Sequence, residues 1–418
     1  MATDVDVQFF SHLNGLVLSN NWGDLIRLLD TCLVNGLPLT AITSATIDAQ
    51  GDLNLSLYAE HKALLFQVIE LQGFVPASIN GKYRIKGIPD SKTFILKAEL
   101  KGQTITTTGT AKLASLGYEI IFRDPNDVKR VYRAKNPTAQ HPFIRVDESL
   151  ASNTGSYTST YAKYAMVGLL EHMEHIDDYE NPDVLQLPFD PADPAKNWKI
   201  TGTGASCIRG WSKWYWARAG NAFASASDSS VPTNGNRQFT LCGNKDAFYY
   251  LSPYEFASSA TSRKIIYGAG LFNADSDQSP WFLMSLLTYS ASSYSYEPDN
   301  LKAGTPLSYS VNASQFLGLT ATPSLKHQVY CLPILPDYQT GYSNVYSNSN
   351  APALEIPFYD DERALRGSLK HVYYSGLRVL DVKQTTVLIS GNSMYAFDGI
   401  SLGSPIGIVY FYLGDLEL

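Results

Sequence analysis

Between Leu39 and Phe122 apolar and polar residues alternate in short runs cut by turn residues, and no other feature limits the fold of this chain as tightly. Leu53, Leu55 and Leu57 alternate with Asp52, Asn54 and Ser56, which places one side chain set on each face of an extended strand. Thr40–Ile47 reads as the strand before it, with Gln50-Gly51-Asp52 as the turn between them. Leu64–Leu71, the Asn80-Gly81 turn, Tyr83–Ile88, the Pro89-Asp90 turn, Thr93–Leu96 and Thr104–Ala111 continue the series. Leu116-Gly117-Tyr118-Glu119 leads out of it. Strands at this spacing predict a small barrel or sandwich.

One helix is predicted ahead of this module. Trp22, Leu25, Ile26, Leu29, Cys32 and Leu33 recur at helical spacing, Asp24 suits a first turn, and Gly36 suits a C-terminal stop. Asn20 or Asn21 is the expected cap. The helix is expected to plug or flank the module.

Beyond the module, Lys129–Ala134, an Asn-Pro turn and Phe143–Val146 form an expected hairpin, followed by a Ser/Thr/Gly/Tyr tract at Ser149–Thr160. Tyr161–Leu170 reads as an apolar strand. The Pro- and Asp-rich stretch 181–200 breaks regular structure. Arg237–Cys242, a Gly-Asn-Lys-Asp turn and Ala247–Leu251 predict another hairpin. Further strands are expected at Arg263–Phe272, Trp281–Leu287, Val329–Leu335, Leu354–Phe358, Leu369–Tyr374, Thr386–Ile389, Met394–Phe397 and Ile406–Tyr412. Tyr289–Tyr296 and Tyr338–Asn350 read as polar loops with aromatic tips. The expected organisation is a helical segment at 1–38, a small β module at 39–122, a connecting hairpin and strand at 123–180, and a large β domain at 181–418. The fold class is mainly β: an N-terminal helix plus a small barrel or sandwich, then a larger, aromatic-rich, sandwich-like domain.

Composition narrows the function. The formal charge is −7, and the 32 Lys and Arg residues are scattered, which disfavours direct nucleic-acid binding. No apolar run reaches the length of a membrane helix, and the start MATDVDVQFF lacks the pattern of a signal peptide. Cys32, Cys207, Cys242 and Cys331 form no C-x-x-C pair, so buried free thiols are expected, with a Cys207–Cys242 bridge as the alternative. With 27 Tyr beside 18 Phe and 6 Trp, the chain is rich in rings that bury area at low entropic cost.

Candidate chemistry is sparse. Glu171-His172-Met173-Glu174-His175-Ile176-Asp177-Asp178 holds the densest set of metal-type ligands, with His172 and His175 on one face if helical and a solvated turn as the plainer reading. Gly202-Thr-Gly-Ala-Ser206-Cys207 lacks the closing glycine of a nucleophile elbow. Gly202-Thr-Gly204 and Gly268-Ala-Gly270 read as turn or packing glycines rather than phosphate loops. Asp360-Asp361-Glu362 beside Arg363 and Arg366 reads as a salt-bridged helical turn. Trp211, Trp214 and Trp216 suit core packing or a subunit interface first, and stacking on sugar second; Trp214 and Trp216 share a strand face and Tyr215 takes the other. No catalytic, cofactor-binding or metal-binding residue is assigned.

The segment Phe74–Phe94, with Asn80-Gly81, Tyr83 and Thr93-Phe94 in order, resembles a short β module recurrent in phage structural proteins and similar to the non-catalytic β insert of ubiquitin-activating enzymes. Asp30–Gly36, Leu116–Glu119 and Val131–Arg133 are similar to the opening of uncharacterised virion structural proteins of tailed phages, and Phe239–Leu251 and Tyr267–Gly270 resemble their later half. The resemblance implies a non-enzymatic virion component of the neck, collar, tail or baseplate, present in several symmetric copies and contacting itself and neighbouring virion proteins. A receptor- or carbohydrate-binding protein touching a host surface glycan is the alternative. No cofactor is implied.

Overall fold

A computed structural model describes residues 4–150, 162–201, 207–218, 231–253, 264–274, 279–287, 307, 315–320, 328–335, 353–374, 382, 384–400 and 407–417. The expected tracts at Ser149–Thr160 (from 151 on), Tyr289–Tyr296 and Tyr338–Asn350, and the Gly202–Gly204 triplet, lie outside them. The protein is mainly β.

The alternating segment folds as expected into a curled, seven-stranded antiparallel sheet. Its order is Leu37–Pro38, Thr110–Leu113, Val68–Gln72, Gly81–Asp90, Thr93–Leu96, Leu53–Leu57, Ile42–Ile47. Leu37–Pro38 and Ile42–Ile47 sit at opposite edges yet follow each other in sequence, so one bent stretch of chain brings the two edges toward a barrel. Leu53, Leu55 and Leu57 point inward onto Ile69, Ile85, Phe94 and Leu96. Two turns differ from expectation. Asn80 makes no hairpin turn; its side chain bonds Phe74 N and O at 2.8 and 3.0 Å, pinning the loop that precedes strand Gly81–Asp90. The Pro89-Asp90 turn moves on to Ser91-Lys92, because Asp90 still pairs with Thr93. The Thr104–Ala111 strand is present only from Thr110.

The N-terminal segment contains more than a helix. Gln8–Ser11 is a strand at the edge of a nine-stranded sheet and pairs with Thr240–Gly243. The helix is short: α-helical over Asp24–Leu29 and π-helical over Asp30–Asn35, ending at Gly36 with φ +72°. Neither asparagine caps it. Gly23 precedes it, and the carboxylate of Glu148 accepts the N–H groups of Gly23 and Ile26, the latter at 2.9 Å. A carboxylate at the end of a distant strand does here what a local cap would do, which spacing along the chain cannot show.

Three sheets then stack. The expected hairpin Lys129–Ala134/Phe143–Asp147 lies in a bridging sheet with Tyr118–Arg123, Lys163–Leu170, Ser212–Ala217 and Leu286–Leu287. The nine-stranded sheet runs Gln8–Ser11, Thr240–Gly243, Ala247–Ser252, Ile265–Leu271, Trp281–Met284, Phe316–Gly318, Val329–Pro333, Pro357–Asp360, Leu365–Ser368. One of its faces (Phe10, Leu241, Phe248, Tyr250, Tyr267) packs with the helix, the barrel and the bridging sheet. Its other face (Phe9, Tyr249, Phe282, Phe316, Phe358) packs on a C-terminal sheet ordered Val372–Tyr374, Gly407–Asp415, Ser393–Ile400, Thr386–Ser390. Being covered on both sides, its central strands read as continuous apolar runs rather than alternating ones. The expected strand Trp281–Leu287 divides at Ser285: its first half joins the nine-stranded sheet and its second half the bridging sheet.

Buried charges tie these layers together. Arg84 donates to Asp4 O, Val7 O, Phe66 O and Leu413 O at 2.7–2.9 Å, joining both ends of the chain to the barrel. Lys264 and Asp398 form a fully buried ion pair, and Thr240 adds a 2.6 Å hydrogen bond to the same carboxylate.

Candidate functional site

The aromatic candidates from the sequence are core. Trp214 and Trp216 are fully buried and Trp211 nearly so. Trp214 Nε1 donates to Met284 O at 2.9 Å, and its ring meets Phe248 edge-on at 5.9 Å. Trp216 meets Trp22 edge-on at 5.9 Å. Of the two readings, packing is the one these contacts support, because neither ring has a face open to a sugar.

Residues 171–178 form turns, so His172 and His175 do not share a helical face. Asp177 is taken by Lys129 at 2.7 Å and Arg145 at 2.6 Å, which hold its carboxyl below the usual range against the opposing effect of burial. Among the described residues no group of three or more His, Cys, Asp or Glu side chains is placed to hold a metal ion. The Asp360–Arg366 ion pair forms at 3.1 Å, but across a β-hairpin rather than a helical turn, with Arg363 at φ +68° in the bend. Gly268 and Gly270 are packing glycines: a Cβ on Gly268 would lie 2.9 Å from the Tyr249 ring, and one on Gly270 2.3 Å from Asp246 O. All four cysteines are buried, Cys32, Cys242 and Cys331 as free thiols, and no Cys207–Cys242 bridge forms.

The feature that sequence reading missed is the outer face of the C-terminal sheet. Its inner side chains, Val372, Tyr374, Met394, Ala396, Val409, Phe411 and Leu413, are buried against the nine-stranded sheet. The alternate positions put Tyr373, Tyr395, Phe397, Tyr410 and Tyr412 on the other side. Register lines them up in two rows: Tyr373, Tyr410 and Phe397 face one another across three strands, and Tyr412 faces Tyr395. Ring centroids are 5.5 Å apart for Tyr395–Tyr412 and Phe397–Tyr410, 6.0 Å for Tyr395–Tyr410 and 6.1 Å for Tyr373–Tyr412. Tyr373, Tyr395, Phe397 and Tyr412 are half-buried; the first three pack, with Ala353 and Leu388, around buried Val382, Ile408 and Tyr410.

Exposed carboxylates border this cluster. Burial, with help from a hydrogen bond to Asp415, pushes the Tyr412 hydroxyl up to about 12. Ser393 Oγ donates to Asp415 at 2.8 Å, and Glu355 lies close enough to Tyr373 to add to the upward shift that burial causes there. Chemically the cluster offers ring faces, phenolic hydroxyls and carboxylate acceptors. The signal in the sequence was the alternation Met394–Tyr395–Ala396–Phe397 facing Val409–Tyr410–Phe411–Tyr412, visible only once both strands are paired.

No family model matches the chain, and no curated protein matches it. Among solved structures it is similar to one titled "Phage phi92 endosialidase", at 9% identity and a TM-score of 0.16, over 91% of this chain. The chain spans about half, 52%, of the length of that protein. Among the described residues no helix is long and apolar enough to cross a membrane.

Proposed function

We propose that this protein is a non-enzymatic component of a tailed-phage virion that presents the aromatic face of its C-terminal sheet to the host surface. The observation that carries the reading is that cluster: a chain that buries its tryptophans at 214, 216 and 281 completely leaves Tyr373, Tyr395, Phe397 and Tyr412 half-open, in register, on the side of the C-terminal sheet turned away from the nine-stranded sheet, around buried Ile408, Tyr410 and Val382. Half-open aromatic rings beside polar groups are what recognition surfaces use. The ordered resemblance of Phe74–Phe94 and the flanking segments to phage structural proteins supports the virion setting. Mass spectrometry of purified particles with cryo-EM localisation tests it. The expected result is a virion protein with the C-terminal sheet facing outward; absence from particles overturns the proposal.

A second reading, assembly in symmetric copies at a neck, collar, tail or baseplate, is favoured by a different surface. Leu332, Tyr359 and Leu365 lie directly opposite one another across the last three strands of the nine-stranded sheet, with Tyr359 and Leu365 exposed by 37% and 71% and Ile334 by 46%. An apolar cross-strand ladder of this kind fits burial against another subunit. Cryo-EM density covering that ladder, with the aromatic face also buried, would decide for assembly.

A further inference from the structure

We infer that the free edge of strand Ile42–Ile47 docks a second copy of this chain, strand to strand about a two-fold axis. The inference goes beyond the host-surface reading and stands without it. Among the described residues Ile42–Ile47 ends the seven-stranded order and pairs only with Leu53–Leu57. Asp48 N donates to Asp52 O at 2.9 Å, and Leu57 N turns away to Lys92 O at 2.8 Å. Ladder bonds alternate along an antiparallel strand, so Ser44 and Thr46 bond to Leu53–Leu57, while Ala45 and Ile47 aim their N–H and C=O groups outward. Among the described residues no backbone partner takes those outward groups. Side chains alternate as well: Ser44 and Thr46 are exposed, whereas Ala45 and Ile47 pack against the barrel core.

Charge selects the occupant. Sheet edges are usually blunted by charged side chains, proline or a cover. Strand Tyr118–Arg123, at one edge of the bridging sheet, carries Glu119 and Arg123, and the edge strand Leu37–Pro38 carries a proline. Ile42–Ile47 has neither device, and its one bulge, between Ile42 and Ser44, leaves Ser44–Ile47 regular. The next two strands inward, Leu53–Leu57 and Thr93–Leu96, hold no charged residue either, and Ser56 Oγ meets Thr93 Oγ1 at 3.2 Å. A chain of net charge −7 thus keeps three adjacent strands neutral, and two copies meet there without like-charge repulsion. A charged peptide or a nucleic acid finds no counter-charge on these strands. With the axis at Ala45, that residue and its copy exchange both backbone hydrogen bonds, and Ser44 of one copy faces Thr46 of the other. The two Asp48 carboxylates then lie at opposite ends of the pair.

The test is sedimentation velocity on the full chain over a wide concentration range, read beside amide hydrogen exchange. A reversible monomer–dimer equilibrium is expected, with exchange at the Ala45 and Ile47 amides slowed in the dimer relative to the dilute monomer. Ser44→Lys together with Thr46→Lys sets like charges opposite one another and is expected to weaken the dimer about tenfold or more. Both side chains are exposed, so the melting temperature of the monomer is expected to stay near that of the wild type. Ser44→Glu together with Thr46→Glu is expected to weaken it likewise, and an equal mixture of the two variants to restore a one-to-one dimer. Leu365→Ser, on the exposed ladder of the nine-stranded sheet, is expected to leave the dimer unchanged. If the substituted chains lose their fold, the wild-type exchange comparison decides alone. A monomer at every concentration, an assembly that survives the paired lysines, loss of the dimer in Leu365→Ser, no restoration in the mixture, or exchange unchanged at Ala45 and Ile47 would each overturn the inference.

Discussion

The Glu148 carboxylate accepts the backbone N–H of Ile26 at 2.9 Å from 122 residues further along the chain. Its other oxygen accepts from Gly23, so a single side chain just beyond strand Phe143–Asp147 satisfies two donors at the start of the only α-helix among the described residues. Burial pushes this carboxyl up to about 7 despite the two backbone hydrogen bonds. Glu148→Ala strands both N–H groups and is expected to cost about 1–3 kcal/mol in a urea unfolding experiment. Because the folded value lies above the ordinary 4.5, the stability linked to protonation is full below about 4.5 and lost as pH rises through 7. Glu148→Gln removes that slope, so its deficit relative to the wild type is expected to shrink between pH 4.5 and 8.

His371 predicts an opposite pH effect. Its Nε2 is enclosed without a hydrogen-bond partner, its backbone is at φ +62°, and burial lowers its value to about 4. Asp6, Asp246 and Asp4 oppose that shift and Lys370 assists it. The unfolded chain therefore takes up a proton near pH 6.5 that the folded chain refuses until about 4. Stability from this site is present above 6.5 and lost as pH falls, by up to about 3 kcal/mol. His371→Gln, compared with wild type by thermal melts from pH 7 to 4, is expected to flatten that part of the curve.

The Lys264–Asp398 pair joins the nine-stranded sheet to the C-terminal sheet with neither side chain exposed. Asp398→Ala leaves a buried ammonium and is expected to destabilise by about 3–5 kcal/mol, whereas Lys264→Met with Asp398→Leu should recover most of the loss. A double-mutant cycle measured by denaturant midpoints checks this; equal loss in the single and double variants would refute the assignment of the pair as a charge-compensated joint.

Trp214→Ala removes a ring packed on Phe248 and Tyr267 and strands Met284 O, so a loss of about 3–5 kcal/mol is expected. The variant is expected to lower the melting temperature without changing affinity for any ligand that the still-folded protein binds. Calorimetry below the transition reads the second part.

Local pattern in the sequence was enough to place most strands. Leu53–Leu57 and Thr93–Leu96 came out with the expected boundaries because one face of each is solvated and alternation marks it. The hairpins at 129–147 and 240–252 were equally plain from their turn residues. Position in the chain misled where partners are remote: strand Gln8–Ser11 is held by Thr240–Gly243, and the helix cap comes from Glu148. Core packing, among the first readings for Trp211, Trp214 and Trp216, is what their contacts show, whereas the tyrosines of the C-terminal sheet gave no comparable local signal.

The sequence alone determined that this chain is mainly β, with a helix against a small barrel and aromatic strands beyond, because alternation and turn chemistry act over a few residues. Only the tertiary structure decided which aromatics are buried and which face outward. A strand shows two faces in sequence, but which one meets another layer depends on the stacking of sheets. Both faces of the strand Ala247–Ser252 lie inside, whereas Tyr395 and Tyr412 were turned out when Met394, Ala396 and Phe411 met the nine-stranded sheet.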